Sequence, residues 1–255
     1  MNPNAIKKIL VIREGKIGDL LMITPTIEAL AKRYPYSKID LLINNYGSFV
    51  FENNPKIDEI IFYDRKNSFG KQIKLLHKLR KEEYDLIFIF EESSHHKILA
   101  YLIGGKIRVG FSGKHNQLLT HYFPWEKKHH AIDNNLKLLT PSLEKNTVLS
   151  KKMILNLKGS DLRKAKDFLK LNNISENDKI VFIHPACGKN EKLRTWPPEN
   201  IAKFSDMLIS SDNVKVILHC GPNEEEVINQ ILPLMKNKPV VNRNNLDITS
   251  ALIKL

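Results

Sequence analysis

Lys8-Ile9-Leu10-Val11-Ile12-Arg13 runs into Glu14-Gly15-Lys16-Ile17-Gly18-Asp19 and on into Leu20 to Tyr34, and this stretch decides how the chain is read. Val11 and Ile12 fit a buried strand. Gly15 and Gly18 let backbone come close to a ligand, and Asp19 stands where a helix should begin. A strand, a glycine turn and an acidic first helical turn make a site-building unit. It is not a P-loop, because Gly18 is followed by Asp19 rather than by Lys and Ser/Thr, and it lacks the three glycines of a dinucleotide fingerprint. A simple ATPase or dehydrogenase is thereby disfavoured.

Working outward, apolar β-rich runs alternate with helix-like stretches. Ile6 to Ile12, Lys38 to Ile43, Glu59 to Tyr63, Tyr84 to Phe90 and Ile107 to Val109 read as strands, and Leu20 to Arg33, Ser68 to Arg80 and His95 to Ile103 as helices. A loop from Gly110 to Trp125 and a helix near Ala131 to Leu139 follow. Pro141 to Ser150 has linker composition. Beyond it, Met153 to Leu157 reads as a strand, Asp161 to Leu171 as a helix capped by Ser160, and Lys179 to His184 and Val214 to Cys220 as strands. Pro197 to Ser211 and Glu224 to Met235 read as helices. The alternation predicts an α/β fold of two parallel-sheet units, residues 1–145 and 146–255. In such open sheets ligands sit at the carboxyl ends of strands, where the loops bearing Asp19, Cys187-Gly188 and Gly221-Pro222 fall.

The 255 residues carry 40 Lys and Arg against 28 Asp and Glu, a formal charge of +12 that suits an anionic partner such as a phosphorylated glycolipid or a phospholipid surface. No ribonucleoprotein, zinc-finger or recognition-helix signature accompanies the charge, so nucleic acid is disfavoured. Two cysteines, Cys187 and Cys220, predict no disulfide framework and a reducing compartment. With no signal-peptide pattern and no apolar run long enough to span a bilayer, the reading is cytoplasmic, at most peripheral to a membrane. No H-E-x-x-H motif, Cys/His cluster or Asp-x-Asp motif is present, and the adjacent pairs His95-His96 and His129-His130 cannot share one helical face. No metal site and no cofactor are expected.

Lys192 and Arg194 precede Trp196-Pro197-Pro198, where a proline in the first turn fixes a helix start. A basic side chain and a helix N-terminus converging on one place make an anion site, and a nucleotide diphosphate would suit it. A solvated basic turn is the plainer account. For Asp19 the plainer account is a helix-stabilising carboxylate.

Taken together, Ile9 to Arg13, Gly15 to Leu21, Thr24-Pro25, Ala29-Leu30 and Tyr34-Pro35 resemble the opening of the glycosyltransferase family 9 enzymes, the heptosyltransferases of lipopolysaccharide core assembly. His184-Pro185-Ala186-Cys187-Gly188 with Lys192, Arg194 and Trp196 to Glu199 is similar to the family's glycine-containing loop and basic-Trp-Pro motif. Val216 to Pro222 followed by Glu224-Glu225 resembles its next strand and loop. The resemblance implies the two-Rossmann-domain GT-B architecture and an inverting transfer of heptose from ADP-heptose to the lipopolysaccharide inner core. It implies Asp19 as the base, and Lys192 or Arg194 with Gly188, Gly221 and Pro222 on the donor side. Arg13, Lys16 and Gly18 would then meet the acceptor. The family's basic residue adjoins Trp-Pro, whereas Thr195 intervenes here, so Lys192 and Arg194 both stay open for the role. Family members continue past the position of Leu255, which predicts an incomplete second domain. A remnant that binds nucleotide or anionic glycolipid without turnover is the alternative, and a general nucleotide-binding α/β protein is a third.

Overall fold

The computed structural model describes residues 3–255 except 46, 145–146, 187–194, 212–213 and 222–223. The chain divides into two compact units, Met1–Asn156 and Leu157–Leu255.

The first unit is built around the opening run. Strand β1 (Lys8–Arg13) lies between β2 (Lys38–Ile43) and β4 (Leu86–Ile89), with β3 (Glu59–Phe62) beyond β2, and β5 (Ile107–Phe111) and β6 (His121–Phe123) beyond β4. All neighbouring strands are parallel. Both faces are covered, which is why β1 and β4 read as unbroken apolar runs rather than alternating ones. Ile9, Val11 and Phe88 point into the core beneath α1 (Ile17–Leu21), α2 (Thr24–Arg33) and α5 (Ala131–Lys137). Leu10, Ile12, Ile87 and Ile89 point into the opposite core, beneath α3 (Phe69–Lys81) and α4 (Ser94–Ile103). Asp85, just before β4, ties the lower edge together by accepting from the Lys7 N–H at 2.8 Å, the Lys8 N–H at 3.2 Å and Lys106 Nζ at 2.7 Å. Burial pushes the Asp85 carboxyl up, but the Lys106 contact and the two N–H groups outweigh it and hold the group below its ordinary value.

Several local expectations are corrected. The helix expected over Leu20 to Arg33 is two helices, because Pro25 sits in the first turn of α2 and has no N–H to continue α1. The stretch Gly110 to Trp125, expected as loop, contributes the short edge strand β6. Met153 to Leu157 forms no strand. The Ile154 N–H donates to Thr24 Oγ1 at 2.9 Å, and Leu149 and Leu155 pack on the first core, so Met153 to Asn156 run along the first unit instead of joining a ladder.

In the second unit β7 (Lys179–Ile183), β8 (Val214–His219) and β9 (Val240–Asn242) form a parallel sheet in that order. Helices α7 (Pro198–Ile209) and α8 (Glu225–Ile231) cover one face, and α6 (Gly159–Leu171) and α9 (Leu246–Lys254) pack together with Phe182 on the other. Helix α6 starts at Gly159 with Lys158 as its cap residue, so Ser160 lies inside the first turn rather than capping it. Strand β9 went unread because three residues are too few for a period to show. Cys220 is a free thiol, buried at the end of β8, and burial pushes it above its ordinary value. Among the described residues no helix is long and apolar enough to cross a membrane.

Candidate active site

The carboxyl ends of β1, β4 and β5 meet at one edge of the first sheet, and Asp19 stands there. It is the third residue of α1. Its Oδ2 accepts from the Lys16 N–H at 3.0 Å, which caps the helix, and its Oδ1 accepts from Arg13 Nη2 at 2.9 Å. Arg13 also donates through Nη1 to the Phe90 carbonyl, so one guanidinium joins the end of β1 to the end of β4 and aims the carboxylate. The Asp19 side chain remains 42% exposed.

Beside it is a cavity of about 440 Å³ lined by Arg13, Asp19, Glu91, Glu92, Phe111, Trp125 and Asn135, among others. The Trp125 ring stands edge-on to Phe111 with centroids 5.0 Å apart. An apolar wall facing a few carboxylates and amides is the usual composition of a small-molecule site. Asn135 is buried, with its Nδ2 donating to the Met22 carbonyl and its Oδ1 lacking a partner among the described residues.

Gly15 is held to its residue type by the same carboxylate. A Cβ there would lie 2.7 Å from Asp19 Cβ and 2.8 Å from its Oδ2. Gly15→Ala is therefore expected to displace the Asp19 side chain and to lower turnover by about 10²-fold, the scale of an ångström-sized misplacement. Steady-state kinetics with unchanged thermal stability would check it. At Gly18 a Cβ would meet nothing within 4 Å, so open space and not packing surrounds this position. Lys16 is exposed, with its backbone spent on the α1 cap.

Beneath the loop lies a cluster that sequence reading missed. His96 is fully buried, with Nε2 3.0 Å from Glu14 Oε2 and Nδ1 3.3 Å from Glu91 Oε2. Arg65 Nε joins at 2.7 Å from Glu14 Oε2, and the Glu14 N–H donates to Glu91. Burial pushes the Glu91 carboxyl up, but its contacts with His96, the Glu14 N–H and Arg13 outweigh burial and leave it below its ordinary value. Glu14, Glu91 and His96 are the one group among the described residues spaced to hold a cation. One of the three, Glu14, is already paired with Arg65. The missed signal was positional: Glu91-Glu92 directly follows an apolar strand, as Asp19 follows β1 through its loop.

On the second unit, Gly188, Lys192, Arg194 and Pro222 lie outside the described residues. Gly221 follows β8, and its N–H is taken by Glu224 Oε2 at 2.8 Å. The same oxygen lies 3.6 Å from His184 Nε2, and the His184 and His219 rings are 5.2 Å apart at the carboxyl ends of β7 and β8. His219 is buried with Nδ1 3.0 Å from the Asn242 carbonyl oxygen, and burial pulls its pKa down. A larger hollow of about 710 Å³ lies along α7, away from these strand ends. There the Asp206 carboxylate is spent on the N–H groups of Lys236 and Asn237.

Two tandem units, each with a parallel α/β sheet, make a GT-B-type fold. The chain belongs to glycosyltransferase family 9 (heptosyltransferase), whose model matches residues 72–255. Lipopolysaccharide heptosyltransferase 3 of Escherichia coli is 26% identical over 244 residues, 88% of this chain and 67% of that one. The crystal structure of a glycosyl transferase family 9 protein from Veillonella parvula DSM 2008 superimposes with a TM-score of 0.85 at 24% identity, covering 97% of this chain and 73% of that one. The structure of E. coli ADP-heptose lps heptosyltransferase II does so with a TM-score of 0.75 at 20% identity, covering 96% and 76%. The last two likenesses show the fold. The family match begins at residue 72, so the loop bearing Asp19 lies outside it.

Proposed function

We propose that the protein transfers a heptose from ADP-heptose to a sugar of the lipopolysaccharide inner core, with inversion at the transferred carbon. Family membership supports the sugar-transfer class, and the names of the relatives supply the donor and acceptor. The observation that carries the mechanism is Asp19, held by Arg13 and left half-open to the aromatic-walled cavity. Asp19 takes the proton from the acceptor hydroxyl as that oxygen bonds to the anomeric carbon. The bond from that carbon to the diphosphate breaks, and ADP leaves. One displacement from the face opposite the leaving group inverts the centre.

Arg13 orients the base, while Lys16 and Gly18 flank the entering acceptor. Lys192 or Arg194 neutralises the departing diphosphate, with Gly188, Gly221 and Pro222 shaping the donor loop. No metal is assigned to the reaction. A phosphorylated glycolipid as acceptor supports a cytoplasmic protein in peripheral contact with the inner-membrane surface.

The donor half is tested by calorimetry with ADP. Lys192→Ala/Arg194→Ala is expected to lose about 1.5–3 kcal/mol of binding for the charge-assisted contact removed. Equal affinity in the double variant would put the diphosphate elsewhere. Acceptor-dependent release of ADP from ADP-heptose tests the transfer itself, and release that ignores the acceptor would overturn it.

A further inference from the structure

Helix α3 carries Lys71, Lys74, Lys78, Arg80 and Lys81 and not one carboxylate, and α4 beside it has no acidic residue either. On the same two helices large apolar side chains face solvent. Phe69 is 80% exposed and Tyr101 53%, with Ile73, Ile98 and Leu102 also exposed. Phe69 and Ile73 are four residues apart, as are Ile98 and Leu102, so each pair lies along one side of its helix. The helices pack against each other, and Arg80 Nη1 donates to the Leu102 carbonyl at 3.1 Å. Of the bordering carboxylates, Glu59 is taken by Lys78 and Glu82 by Lys8, while Glu83, just past the end of α3, is exposed. Lys71, Lys74 and Lys81 have no ion-pair partner among the described residues.

We infer that the α3–α4 face docks the protein onto an anionic phospholipid surface. Apolar rings and aliphatic chains among lysines, without acids, are the chemistry of a helix lying in a bilayer interface. The apolar groups enter the acyl boundary while the lysine stems reach back to the headgroups. A second copy of the chain is a poor occupant, since a two-fold interface would set these cations against themselves. Nucleic acid would use the cations but leave the aliphatic side chains without a partner. The placement also serves the site: α4 follows β4 directly and α3 follows β3, so the first turns of both helices lie toward the sheet edge that carries Asp19. The inference rests on the membrane-proximal reading above. Its test measures lipid partition without sugar transfer, so failure of one is distinguishable from failure of the other.

The full chain is sedimented with vesicles of phosphatidylglycerol and phosphatidylcholine, and with phosphatidylcholine alone. Binding is expected only to the anionic vesicles and should fall as salt is raised. Lys71→Glu/Lys74→Glu/Lys81→Glu is expected to weaken partition by at least about tenfold. Phe69→Ser/Ile73→Ser should weaken it as well. All five positions are exposed, and circular dichroism with thermal melting confirms that the variants are folded. Absence of binding to anionic vesicles, equal binding by either variant, or tighter binding of a single-stranded RNA than of the vesicles would overturn the inference.

Discussion

Asp19→Asn is expected to lower heptosyl transfer by about 10²- to 10⁴-fold, the contribution of a positioned general base, and to leave the affinity for ADP unchanged. The amide keeps the shape and volume of the side chain and can still accept from Arg13 through its oxygen, but it cannot take a proton. The contacts that hold Asp19 come from Arg13 and the Lys16 N–H within the first unit, so replacing it touches no residue assigned to the donor. Turnover equal to that of the unaltered protein would remove Asp19 from the mechanism and leave it as the cap of α1. Loss of ADP affinity together with turnover would show that the change had disturbed more than the base.

His96→Leu is expected to destabilise the first unit by about 3–5 kcal/mol, the usual cost of stranding buried charges. The imidazole is fully buried between Glu14 and Glu91, whose side chains are 18% and 17% exposed, and leucine would leave those carboxylates facing each other. Because the chain has two units, a single melting temperature is a poor measure, and amide exchange along β1, β4 and the Glu14 to Lys16 loop is the better one. Adding Glu91→Gln to His96→Leu should recover part of the loss, because the stranded charge is then gone. Such coupling marks the charge network, as distinct from a simple change of core volume, as the cause. Independent, additive effects of the two substitutions would contradict the network. Glu14 adjoins Gly15 in the loop that leads to Asp19, so transfer should fall along with exchange protection.

The elements most legible in the chain were those whose signal is local. Leu41 to Ile43 and the core of the opening run, Ile9 to Ile12, read as strands because their apolar residues are consecutive and both sheet faces are covered. The misreadings share a physical origin. The break between α1 and α2 was masked by an apolar period that continues across it, while a single proline ended the ladder. Met153 to Leu157 has strand composition but found its hydrogen bond at a threonine hydroxyl and its packing on a core already built. Strands β6 and β9 are too short to carry a period, and they exist because a neighbouring strand was there to pair with.

The candidate site divides along the same line. From residue order alone, Asp19 could be placed after a glycine turn at a strand's carboxyl end, since a strand, a turn and a helix start are each written in adjacent residues. What holds that carboxylate could not be read there. Arg13 and Phe90 are far apart in the chain, as are Glu14 and His96, and they meet because β4 lies directly beside β1. Strand order in a parallel sheet is set by how the crossover helices pack, not by any local pattern, so α3 carries the chain from β3 past β2 and β1 to the place where β4 pairs. The residues of Lys8 to Leu21 thus determined that a carboxylate would stand at the sheet's edge. Packing of the two helical layers on that sheet decided which arginine, histidine and glutamates would surround it, because burial and charge pairing act between neighbours in space, however distant they are along the chain.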